Sequence, residues 1–166
     1  MIYVIGEDKI APSGHVKTKP MALFGLFELF GRKNKGYASS WLQLTVVYAT
    51  APQGLEPEQT FALRGKILAA NAIDFEFLNS DSFLIFYRGT AEGLQAGTQL
   101  AETLRGIAHG KAVPTFGVAV LQGECLAQLN AAGRFSSKPM GGLISQTKTL
   151  AIKAAEAQTP LSETKI

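Results

Sequence analysis

Cysteine is nearly absent from this chain of 166 residues. The single Cys125 leaves no partner for an intramolecular disulfide and no second thiolate for a multi-cysteine zinc site. That usage fits a reducing, cytoplasmic setting. Histidine is scarce too, and His15 and His109 stand apart in loop-like contexts with no ligand spacing. Long apolar runs are missing: residues 21–30 make the longest, about half of the ~20 residues that a spanning helix needs, and Glu28 interrupts it. The opening Met-Ile-Tyr-Val-Ile-Gly-Glu-Asp lacks the basic-then-apolar order of a signal peptide. The glycines of 106–110 and 141–142 lack the spacing or the Lys-Ser/Thr of a phosphate-binding loop. Charge is thin at 17% of residues against 46% hydrophobic, which excludes disorder over the whole chain.

What charge there is lies unevenly. Residues 1–40 hold six basic side chains (Lys9, Lys17, Lys19, Arg32, Lys33, Lys35) and three acidic ones, leaving ten of each sign in the rest. The body is therefore neutral, and no nucleic-acid partner is expected. Within the basic segment, residues 21–30 read Met-Ala-Leu-Phe-Gly-Leu-Phe-Glu-Leu-Phe, a short helix entered at Pro20 and ended at Gly31. Leu23, Phe24, Leu26, Phe27, Leu29 and Phe30 are too apolar for an exposed helix, and Arg32, Lys33 and Lys35 follow at once. Three readings stay open for residues 21–35. They form an in-plane anchor at the inner face of a membrane, a helix that docks on a protein partner or a second copy, or a helix packed on its own domain.

From Trp41 the pattern is that of a compact α/β unit. Residues 41–49 are β-rich and largely apolar, as a central strand should be. Residues 56–71 have helical spacing. Ile73, Phe75 and Phe77 alternate with Asp74 and Glu76, and Asn79-Ser80-Asp81-Ser82 turns the chain into a second strand over 83–87. A helix over 92–108, two strands over 113–121 and 124–129, and a helix over 141–157 follow. The order predicts an α+β fold, a ferredoxin-like βαββαβ sheet with its helices on one face. It carries an extra C-terminal strand and helix, and an N-terminal appended helix. The division is a segment over 1–40, a domain over 41–158 and a tail over 159–166.

Several residues carry alternatives. Asp81 is a metal ligand or a turn residue capping its own backbone. Asp74 and Glu76 are a replacement ligand pair or the solvated side of a strand. Cys125 is a nucleophile or, in its apolar strand pattern, a buried inert thiol.

Residues 77–86, Phe-Leu-Asn-Ser-Asp-Ser-Phe-Leu-Ile-Phe, resemble the hairpin of class III nucleotide cyclases and, more distantly, that of the diguanylate cyclases, which share the palm-like fold. Residues 116–124, ending in Gly-Glu, and residues 139–151 are similar to two further class III segments in the right order. The resemblance covers roughly 41–157. It implies two aspartates that hold two metal ions, Mg or Mn, on a triphosphate. The second aspartate matches Asp81, whereas the first matches Thr50. The purine-recognising lysine matches Phe77, and the transition-state asparagine and arginine match Ser145 and Thr149. With one of five polar functions kept, the expectation is a degenerate cyclase-like domain without cofactor. It is not an enzyme and acts as an interaction or scaffold module in a complex, with a protein partner or as a homodimer. The alternative is a nucleotide-binding sensor or a divergent cyclase.

Overall fold

The computed structural model describes residues 2–5 and 39–157. The elements run β1 (Ile2–Ile5), β2 (Ser40–Thr50), α1 (Pro57–Ala69), β3 (Asp74–Phe77), β4 (Ser82–Arg88), α2 (Ala91–Gly110), β5 (Gly117–Ala127) and α3 (Gly142–Glu156). The sheet has the order β1-β5-β2-β4-β3. β2 pairs antiparallel with β5 and β4, and β3 antiparallel with β4, which is the ferredoxin-like arrangement expected from the sequence. β1 adds a parallel strand outside β5, so residues 2–5 join the sheet although the boundary drawn at residue 40 separates them from it.

The strands read as unbroken apolar runs because both faces of the sheet are covered. On one face Val47, Ala49, Phe83, Ile85, Val118 and Val120 pack under α1 and α2 through Leu63, Ile67, Leu100 and Leu104. On the other, Leu44, Val46, Tyr48, Ala119 and Leu121 share a cluster with Leu143 and Ala151 of α3. The two helices of the βαββαβ core thus share one face as expected, and the appended α3 covers the opposite one.

The two C-terminal strands expected over 113–121 and 124–129 are one strand. Gln122-Gly123 looks like a break, yet β2 supplies a register partner for every residue from Gly117 to Ala127. Gly123 serves packing instead: a Cβ there would meet Leu143 Cδ1 at 3.2 Å, so the missing side chain makes room for α3. Residues 113–116 stay outside the strand, and Pro114 has no N–H for a ladder.

The β3 alternation is used on both sides. Phe75 and Phe77 pack against the α1/α2 core. Asp74 and Glu76 turn the other way and are half-buried rather than solvated, because the segment after β5 crosses them and Lys138 forms an ion pair with Glu76.

These placements rank three substitutions. Phe83 is fully buried, so Phe83→Ala should cost about 3–5 kcal/mol in urea unfolding. Phe75→Ala should cost less, since the ring is half-buried. Asp74→Ala should be mildest, as its carboxylate accepts only the neighbouring Phe75 N–H at 2.9 Å. An Asp74→Ala loss equal to that of Phe83→Ala would contradict the face assignment.

Candidate functional site

β2 and β4 end side by side, and their pairing sets Thr50 opposite Ser82. Both side chains are buried, and their hydroxyls lie 3.0 Å apart. Ser82 Oγ also lies 3.3 Å from Asp81 Oδ1. A carboxylate only accepts, so Ser82 donates to Asp81 and Thr50 donates to Ser82. The sheet therefore brings Thr50 and Asp81, the two positions matched to the metal aspartates, to one corner. The backbone there is tied as well. Asp81 N–H donates to Asn79 Oδ1 at 3.1 Å, an Asx turn, and Ala51 N–H donates to the Asp81 carbonyl at 2.9 Å. The capping side chain of the turn is thus that of Asn79 and not of Asp81, whose carboxylate accepts from Ser82 and is the one acidic group of the corner triplet.

α1 closes over this corner. Thr60 donates to the Ser80 carbonyl at 3.3 Å and Arg64 to the Asn79 carbonyl at 3.4 Å. The helix starts with Pro57 and a Glu56/Gln59 capping box, in which Gln59 Oε1 accepts the Glu56 N–H at 2.7 Å. Its first turn carries Glu58, so the positive end of the helix already has acidic side chains beside it.

Two divalent ions do not fit the residues present. One carboxylate and two hydroxyls, already bonded to one another, fall short of the several oxygen ligands that Mg²⁺ takes. Among the described residues, no group of three or more His, Cys, Asp and Glu side chains is placed to hold a metal ion.

The other matched positions lie elsewhere. Phe77 is part of the core: its ring meets Phe83 edge-on at 5.9 Å and carries the Arg64 guanidinium 4.6 Å above it. Ser145 and Thr149 sit on α3 and line a separate apolar groove with Leu121, Leu143 and Leu150. Thr149 Oγ1 is turned back to the Ser145 carbonyl at 2.9 Å. Leu23, Phe24, Leu26, Phe27, Phe30, Arg32, Lys33 and Lys35 lie outside the described residues. Cys125 is fully buried in the α3-side core, and burial raises its thiol pKa, which fits the inert reading.

Two features escaped the sequence reading. One is a row of exposed apolar side chains on the β2/β5 ribbon, built from Trp41 and Met140. The other is a cleft of about 870 Å³ between α1 and α2. Trp41 opens a strand and reads there as core, and no periodicity reports that the ribbon outruns the helices.

The hydroxyl chain is testable by a double-mutant cycle. Ser82→Ala strands the buried Thr50 hydroxyl and should cost about 1–3 kcal/mol, while Thr50→Val with Ser82→Ala should cost less than the sum of the singles. Strict additivity in urea unfolding would show that the pair does not couple. A second expectation concerns pH. Burial raises the pKa of Tyr87 as well as that of Cys125, so both prefer the neutral form in the folded state. The unfolded chain ionises first, so this stability is intact below the ordinary thiol range, about 8.5. It should fall as pH climbs past that and then past about 10. Cys125→Ala and Tyr87→Phe should each flatten the alkaline fall, and unchanged profiles would refute the assignment.

No protein-family model matches the chain, and no curated protein matches it. Solved structures are similar in fold. A structure of a bacterial light-regulated adenylyl cyclase gives a TM-score of 0.46 at 9% identity, over 70% of this chain and 41% of that one. A second bacterial light-regulated adenylyl cyclase structure gives 0.44 at 9% identity, over 69% and 40%. This chain thus spans less than half the length of either. Both neighbours are adenylyl cyclases, and the expectation that this chain is not an enzyme is corrected to a catalytic status left open. The fold itself is a mixed α/β sheet with helices on both faces.

Proposed function

We propose that this cyclase-like domain works by docking onto another protein chain through the projecting end of its β2/β5 ribbon. The observation that carries this reading is the apolar row on the ribbon. Trp41 is paired in register with Leu126, and Leu126 is bridged on its other side to Met140 by two backbone hydrogen bonds of 2.8 and 2.9 Å. Directly paired residues share a sheet face, so the three side chains stand in one line. Trp41 is 64% exposed and Met140 62%. Tryptophan and methionine are enriched in protein interfaces, and a buried tryptophan is a frequent energetic anchor. Beside them Ser40–Leu42 have β5 on one side and, among the described residues, no strand on the other, because β4 pairs only from Leu44. An open edge next to an aromatic anchor suits strand addition by a partner.

Residues 21–35 supply a second attachment in this reading. Their six large apolar side chains would contribute roughly 1.5–3 kcal/mol each if fully buried, in a protein groove or at an anionic membrane face. Among the described residues, no helix is long and apolar enough to cross a membrane.

A second reading, action on a nucleotide, draws on the convergence of Thr50, Ser82 and Asp81 at one end of the central strands. Cyclic-nucleotide formation from ATP or GTP that disappears in Asp81→Ala would establish it.

Trp41 is the one tryptophan of the chain, so its emission reports the ribbon directly. A photo-cross-linking residue at position 41 should give a discrete protein adduct, with a second copy in the purified chain or with another chain in cells. Met140→Ser should remove that adduct while circular dichroism is unchanged. Docking should also shift Trp41 emission to the blue. No adduct in either setting, with emission fixed at its water-exposed maximum at every concentration, would overturn the proposal.

A further inference from the structure

A cleft lies between the C-terminal half of α1 and the N-terminal half of α2, at the Arg88 end of β4. That is the opposite end of β4 from the Asp81 corner. Its floor includes Tyr87, a 5% exposed side chain whose hydroxyl has no hydrogen-bond partner among the described residues and keeps contact with solvent at the cleft. A hydroxyl so placed is free to donate to a ligand. Around it stand three cations, Lys66, Arg88 and Arg134, and among the described residues none of the three is in an ion pair. Glu92 is the single acid of the lining, and its carboxyl, held low chiefly by a hydrogen bond from the backbone and then by Thr90, is already engaged at the start of α2.

Arg88, at the end of β4, and Arg134, in the turn after β5, reach the cleft from different parts of the chain. Asn130 Oδ1 accepts the N–H groups of Ala132 and Arg134 at 2.9 and 3.1 Å, which fixes the turn after β5. Gly133 takes φ +74° there, and a Cβ on it would lie 3.9 Å from Arg88 Nη2. The Arg88 guanidinium therefore lies near the residue that precedes Arg134, and both arginines line the same cleft.

We propose that this cleft is a binding site for a small phosphomonoester. The lining carries three positive groups against one negative, a surplus that suits a dianion. A phosphate presents three terminal oxygens to guanidinium, ammonium and phenol donors, more than one carboxylate offers. The volume of about 870 Å³ exceeds what a bare phosphate fills and lies in the range of small-molecule sites, so the ligand carries an organic body over Tyr87. The raised pKa of Tyr87 keeps its hydroxyl protonated and able to donate. This site is independent of the ribbon surface and of the Asp81 corner.

The test is amide chemical-shift titration of the full chain with glucose 6-phosphate and with inorganic phosphate, using glucose and succinate as controls. Glucose 6-phosphate should give saturable shifts around Arg88, Gly133 and Arg134, stronger than those of inorganic phosphate, while glucose gives none. Arg88→Gln and Arg134→Gln should each weaken binding at least about tenfold, the size of one charge-assisted contact. Tyr87→Phe, which keeps the ring, should weaken it about fivefold, the loss of one neutral hydrogen bond. Arg105→Gln, on the far part of α2, should leave binding unchanged. Four outcomes would overturn the proposal: no saturable shift with either phosphate, shifts outside the cleft, an affinity indifferent to the arginine variants while they remain folded by circular dichroism, or saturation by succinate alone.

Discussion

From Leu44 to Thr50, β2 is hydrogen-bonded along both edges and covered on both faces, and the rest of the molecule is arranged around that. Its register runs from Ser40 to Thr50 against β5 and from Leu44 to Thr50 against β4. A strand so enclosed has no water to satisfy its backbone, so each amide must find a strand partner. Its side chains must be apolar at odd and even positions alike. Thr45 and Thr50 are the polar exceptions within the buried stretch, and each hydroxyl is placed within reach of β4, at the Arg88 carbonyl and at Ser82.

The same enclosure explains why polar chemistry collects at the ends of the strands. At the Thr50 end the polar groups close on one another, since hydroxyl, hydroxyl and carboxylate form a chain and the Asx turn uses the nearby backbone groups. At the Arg88 end they stay open: the Tyr87 hydroxyl and three cations, none in an ion pair among the described residues, line a cleft that faces solvent. The ribbon of Ser40–Gln43 with β5 adds a third kind of surface, apolar and open at its edge, where the strands outrun β4.

At the corner the ferredoxin-like pairing brings Thr50, Ser82 and Asp81 to one place, so the backbone register decides which polar groups meet there. Phe77 is turned inward instead: its place on β3 faces the α1/α2 core, and an aromatic ring there adds packing against Phe83 and a cation above it.

The order of strands and helices, and with it the ferredoxin-like sheet, was legible from local pattern alone. Alternation in 73–77, the Asn-Ser-Asp-Ser turn and the unbroken apolar runs each report a local constraint, and local constraints survive without knowledge of neighbours. The union of 113–129 into a single strand was not legible. Gly123 has the same letter whether it bends a strand or makes room for Leu143, and only the position of α3 decides between them. The exposure of Trp41 and Met140 and the gathering of Lys66, Tyr87, Arg88 and Arg134 around one cleft were hidden for the same reason. Those residues lie far apart in sequence, and they meet because the register of β2, β4 and β5 fixes where the strand ends and the following turn fall. The sequence by itself determined which segments must leave water; tertiary structure decided which side chains were left facing it.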